Sequence, residues 1–219
     1  MKKVILLNLA LISVALLHGQ TIENEVKNAE KLLKQKSYKE AIQELKSAIA
    51  VIENEQLNTM KTDLLPEKVL DYSIANSDEI MESSSKSYIS GNMIEIAQSY
   101  SKPIGNVSSN SETSEGFMGQ NISVITINIS NVPGKMCDIA NTHSMNSSEG
   151  FEMESIVPTA FKGYRAVKLY NTDARHGKYA VIIGGAVLEI NAENIENEKI
   201  LLEAVNSIDI EKIIQYFGK

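Results

Sequence analysis

Apolar residues recur at helical spacing early in the chain and at alternate positions later, and this change of period divides the sequence. Ile22, Val26, Ala29, Leu32 and Leu33 repeat at three- and four-residue intervals with charges between them, as on an amphipathic helix. After a break at Lys36, Ser37-Tyr38-Lys39-Glu40 has the form of a capping box, the Ser37 hydroxyl accepting from the Glu40 amide and the Glu40 carboxylate reaching back. Tyr38, Ala41, Ile42, Leu45, Ala48, Ile49 and Ile52 then make a second stripe, opposite a face of Lys, Glu and Gln. Two such helices and a short turn predict an antiparallel hairpin over 21–63. Leu64-Leu65-Pro66 ends it, because proline disfavours helix in the residue before it.

Beyond the proline the period falls to two. Residues 73–91 are Ser-rich and close on Gly91, and Met93 to Gln98 predict a short strand. Residues 101–120 carry no apolar periodicity and predict a mobile surface loop. From Asn121 the pattern is extended, Ile125, Ile127 and Ile129 alternating with Thr126 and Asn128. A meander follows over 164–190: Tyr164 to Tyr170 as a strand, Asn171 to Gly177 as the turn, and Lys178 to Ile183 returning. Gly184-Gly185 marks a bulge or tight bend before a further strand, Ala186 to Ile190. The chain ends in helices, one with Ile200, Leu201, Ala204, Val205 and Ile208, the next capped by Asp209 and carrying Ile210, Ile213, Ile214 and Phe217. Strands and then helices, joined by hairpin-length connections, predict an α+β protein. The expected plan is an N-terminal antiparallel helical hairpin packed on or beside an antiparallel β-sheet domain, 64–219, with C-terminal helices.

The first twenty residues stand apart from this plan. Lys2 and Lys3 precede an apolar run from Val4 to Leu17, and a short polar stretch follows, the tripartite layout of a secretory signal peptide. The run is shorter than the ~20 residues of a spanning helix. The expected cut lies after Gly19 or Gln20, and with no cysteine there for a lipid the mature protein is expected in the periplasm or outside the cell. No later stretch approaches spanning length. Losing Lys2 and Lys3 takes the formal charge from −7 to −9, which disfavours nucleic acid and anionic membrane surfaces. At 43% hydrophobic and 22% charged residues the 219-residue chain is too apolar to be disordered. Its single cysteine, Cys137, forbids an internal disulfide.

The phrase SYKEAIQELKSAI resembles a tetratricopeptide repeat, with Tyr38, Ala41 and Ala48 where that repeat places its tyrosine and two small residues. The likeness covers one unit, which must pack on the rest of the chain or on a partner, such as another envelope protein or a peptide. The order of hairpin, junction, strands, meander (GYRAVKLYNTDARHGKYAVIIGGAVLEI) and helical tail resembles a family of exported bacterial proteins of unassigned function. More distantly, the later domain is similar in plan to the PsbP-like fold of extracytoplasmic accessory proteins. Neither likeness carries catalytic residues onto this sequence.

Few chemistries fit what remains. After signal removal only His143 and His176 are left among histidines, and no serine sits in a Gly-x-Ser-x-Gly elbow. Glycine-rich phosphate loops and Asp-rich calcium loops are missing. No catalytic residue and no cofactor is expected. Asn121-Ile122-Ser123 matches a glycosylation acceptor, as chance matches do in an Asn- and Ser-rich chain. The alternative to a binding or accessory role is a soft-metal carrier: Met136, Cys137, His143 and Met145 offer thiolate, thioether and imidazole to copper(I). Were that stretch extended, His143 and Met145 would share a face; were it helical, Met136, Ile139, Ala140 and His143 would form ordinary core. Asp173, Arg175 and His176 sit at the expected hairpin tip, either as a partner contact or as a solvated turn.

Overall fold

A computed structural model describes residues 21–75, 87–104, 122–144 and 157–218. The chain divides into two compact units at Thr59–Met60, inside one long helix.

The first unit is the expected hairpin: α1 covers 21–34, and α2, Tyr38–Leu64, runs antiparallel to it up to the division. Between them Lys36 takes a left-handed conformation, φ 63°. The Ser37 amide donates to the Leu32 carbonyl at 2.9 Å and the Lys36 amide to that of Leu33 at 3.0 Å, so the turn satisfies carbonyls that the helix end leaves open. Across the hairpin the Ser47 hydroxyl donates to Glu25 at 2.8 Å. Ala29, Ala41 and Ala48 are buried, small enough for the helix backbones to approach. The rest of the second stripe behaves differently. Tyr38, Ile42, Leu45, Ile49 and Ile52 stay exposed, because the alanines make the seam and the larger side chains lie on the neighbouring face.

Among the described residues the second unit is an all-antiparallel, nine-stranded sheet with helices after it, so the α+β plan holds. Its strands are β1 Lys68–Val69, β2 Tyr72–Ile74, β3 Tyr88–Ser90, β4 Met93–Pro103, β5 Ile122–Ser130, β6 Val157–Phe161, β7 Tyr164–Asn171, β8 His176–Ile183 and β9 Ala186–Glu193. The order is β1-β2-β4-β5-β9-β8-β7-β6, with β3 paired to β4. Helix α3, Pro133–Ser144, lies between β5 and β6 in sequence, and α4, Lys199–Asn206, and α5, Ile210–Phe217, close the chain.

Several expected boundaries move. The strand at 93–98 extends through Pro103, since Ser101, Lys102 and Pro103 pair with Val124, Ser123 and Ile122; the expected loop therefore starts no earlier than 104, and 105–121 lie outside the described residues. The meander turn shrinks to 172–175 because His176 already pairs with Asn171. Gly184-Gly185 is a two-residue turn between paired Ile183 and Ala186, with Gly184 at φ +58°. The stretch from Met136 is helical, which removes the extended arrangement as far as Ser144.

Register assigns each side chain to a face. Ile125, Ile127 and Ile129 stand opposite Ala192, Ile190 and Leu188, and Tyr179 and Val181 continue the row. This apolar face is covered by α4 and α5, which bury Leu201, Ala204, Val205, Ile213 and Phe217. Asp209 caps α5 by accepting from the amides of Glu211 and Lys212, as its place in the sequence predicts. The last turn of α2 belongs to this unit too: Met60 and Leu64 are buried, and the Tyr216 hydroxyl and Lys212 ammonium of α5 donate to Asp63. On the other face α3 sets Ile139 and Met136 against Val167, Ala180 and Val187.

The β8–β9 turn must be glycine for a steric reason. A Cβ on Gly185 would stand 2.6 Å from the Phe217 carbonyl oxygen, a backbone atom at the end of α5. Gly185→Ala therefore lowers stability by about 1–3 kcal/mol in urea unfolding. Gly134→Ala, whose added methyl meets nothing within 4 Å, leaves stability unchanged or slightly raised.

Candidate functional site

Where β4 ends and β5 begins, a cleft of about 420 Å³ opens between the sheet end and the start of α4. That volume is in the range of small-molecule sites. Its walls come from segments far apart in sequence: Asp71 just before β2 and Tyr72 at its start, Lys102 on β4, Ser123 on β5, Arg175 from the β7–β8 turn, and Asn194 and Glu196 after β9. Ile200 and Glu203 of α4 complete it.

The floor is a chain of hydrogen bonds. The Tyr72 hydroxyl lies 2.8 Å from the Ser123 hydroxyl, which in turn donates to the Glu193 carbonyl at 3.1 Å. Lys102 Nζ stands 2.6 Å from Asp71 Oδ2 and 5.7 Å from the centre of the Tyr72 ring. The Lys102 hydrogen bond holds the Asp71 carboxyl below its usual range. The same bond raises the Lys102 ammonium, helped by Glu196. The rim is tied down as well: the Ile195 amide donates to the Arg175 carbonyl at 3.0 Å, and Asn194 Nδ2 donates to the Ile122 carbonyl at 3.0 Å.

Three residues lining this cleft, Leu70, Arg175 and Asn194, hold positive φ of 57°, 52° and 56°. Such conformations cost energy in non-glycine residues and persist where surrounding contacts fix them. Cations (Lys102, Arg175) and carboxylates (Asp71, Glu196, Glu203) are present together. The arrangement can hold a small polar ligand bearing both charges.

A second polar group occupies the sheet face opposite the apolar core. Asn128 Nδ2 donates to Glu95 Oε1 at 2.5 Å, and Lys135 of α3 reaches the same oxygen at 2.8 Å. One strand further, Lys178 pairs with Glu189 at 2.7 Å, and Asn191 donates to it at 2.7 Å. Asn128 Oδ1 is buried without a hydrogen-bond partner among the described residues. Burial alone would raise the Glu189 carboxyl, but Lys178, Asn191 and Lys135 together bring it below its usual value.

Among the sequence candidates that lie within the described residues, Arg175 alone joins the cleft; Asp173 is exposed in the turn and His176 opens β8. Met136 packs into the α3 core while Cys137, the next residue, is exposed, as the 100° step of a helix requires. His143 lies in the last turn of α3 with its side chain outside the described residues, and Met145 is outside them altogether. No group of three or more His, Cys, Asp and Glu suited to a metal occurs among the described residues. Sequence reasoning missed Asp71, Tyr72, Lys102, Asn194 and Glu196. Asp71 and Lys102 meet only through the β2–β4 pairing, and Lys102 falls inside the expected loop.

The Glu189 carboxylate gives a pH signature. Its lowered folded value supplies stability that is complete above its ordinary value of 4.5 and is lost as the pH falls through the folded value. In urea unfolding, Glu189→Gln is less stable than the parent at neutral pH, and the gap closes in acid. A gap of constant size from neutral to acid would show that the charge contributes nothing.

No helix among the described residues is long and apolar enough to cross a membrane. Compared with protein-family models, curated proteins and solved structures, the chain matches none.

Proposed function

We propose that the protein is an exported binding or accessory protein of the bacterial cell envelope, working without catalysis, and that the cleft beside Lys102 and Arg175 holds its ligand. The observation that carries this reading is the cleft: five chain segments converge on it, and three lining residues are held in left-handed backbone conformations. Export is supported by the charged, apolar and polar succession of residues 1–20. The ligand class follows from the lining. Arg175 and Lys102 suit a carboxylate, Glu196 and Glu203 suit an ammonium group, and a short peptide with free ends carries both. The tetratricopeptide-like phrase around Tyr38, Ala41 and Ala48 supports a further protein contact on the hairpin.

The test is an NMR titration of the mature chain with dipeptides, free-ended against end-blocked. Free-ended dipeptides shift the amides of Tyr72, Arg175 and Asn194, and Arg175→Ala and Glu196→Gln each weaken binding by about tenfold. Shifts confined to other surfaces, or equal binding of blocked peptides, overturn the assignment. Protein recovered from expressing cells begins at residue 20 or 21; an intact Met1 removes export from the proposal.

A further inference from the structure

On the hairpin, the alanine seam leaves an apolar row uncovered. Tyr38, Ile42, Leu45, Ile49 and Ile52 of α2 are 39–59% exposed, and their spacing of four, three, four and three residues is a heptad repeat. On a surface helix such large side chains usually face a core; a strict 3.5-residue period is the seam of helix against helix. On α1, Val26 and Leu33, one heptad apart, are exposed too.

The charges beside the row indicate what covers it. Lys39, Lys46 and Glu53 follow one another at seven-residue intervals along a single flank. Placed antiparallel on a second α2, Ile42 faces the second copy's Ile52 and Leu45 faces its Ile49. Lys39 then lies beside the second copy's Glu53, and symmetry makes that pair twice. Lys46 meets its own counterpart near the axis, where its long stem can carry the charge to water. A parallel pairing forfeits the match, because the opposite flank holds Ala41 and Ala48 where a partner for Lys46 and Glu53 would have to be. Antiparallel helices also oppose their dipoles favourably.

We propose that the hairpin row docks on the same row of a second copy of this chain, joining two hairpins into a four-helix bundle. Half-exposed side chains of this size offer on the order of 600 Å² per copy, which suits a micromolar dimer rather than a permanent one.

Sedimentation equilibrium of the mature chain tests it. The expected result is a dimer with Kd at or below about 10 μM, weakened roughly tenfold or more by Ile49→Asp and by Lys39→Glu. Both variants alter exposed positions, and unchanged circular dichroism verifies that they fold. The double reversal Lys39→Glu, Glu53→Lys restores the dimer, which a merely structural role for either residue would not produce. A chain that stays monomeric overturns the proposal, as does a dimer that neither variant moves.

Discussion

Successive side chains of a strand point to opposite sides of the sheet, and in β5 and β9 that alternation separates two kinds of chemistry. Ile125, Ile127 and Ile129 face the side covered by α4 and α5, whereas Thr126 and Asn128 face the side where Glu95, Glu189, Lys135 and Lys178 gather. A one-residue slip of β5 would bury Asn128 among isoleucines and expose those isoleucines to the carboxylates. Neighbouring strands are held to the same choice: Leu188 and Ile190 continue the apolar face, and Glu189 and Asn191 the polar one. Both helical layers and the position of Lys135 follow from it.

The cleft follows from where the ladder stops. Pairing of β2 with β4 brings the Lys102 ammonium beside Asp71 and Tyr72, pairing of Lys102 with Ser123 adds β5, and the buried Ile195 anchors the segment after β9 against the β7–β8 turn. Left-handed backbone at Leu70, Arg175 and Asn194 lets three connections turn sharply enough to leave a recess instead of a filled edge. The site is thus built from loops on a rigid support, an arrangement that frees its residues from core packing.

Much of the fold was legible because burial imposes period. The meander and the Asp209 cap are readable in the residues, since each repeats or uses a residue type with one local purpose. Short edge strands such as β1, β3 and β6 were not, for two to five residues cannot show a period. The outer half of β4 was hidden by polar alternation: Ser99, Ser101 and Lys102 read as loop until their pairing partners are known. The stripe of α2 was visible as apolar, but only the structure separates its buried alanines from its exposed isoleucines. Most of the cleft was illegible, because contacts such as Asp71 with Lys102 arise from register between distant segments rather than from local pattern. Arg175 was found by its place at a hairpin tip, yet only the structure shows it lining the cleft, its Nε donating to the Ile195 carbonyl.

The two-faced sheet is tested most directly by two neighbouring residues on β5. Ile127, fully buried on the apolar face, and Asn128, partly buried on the polar one, are each replaced by alanine and the proteins unfolded in urea. The alternation requires Ile127→Ala to cost about 2–5 kcal/mol and Asn128→Ala about 1 kcal/mol. Equal losses, or a larger loss at Asn128, would mean that the isoleucine face is not the one on which the helices close the core.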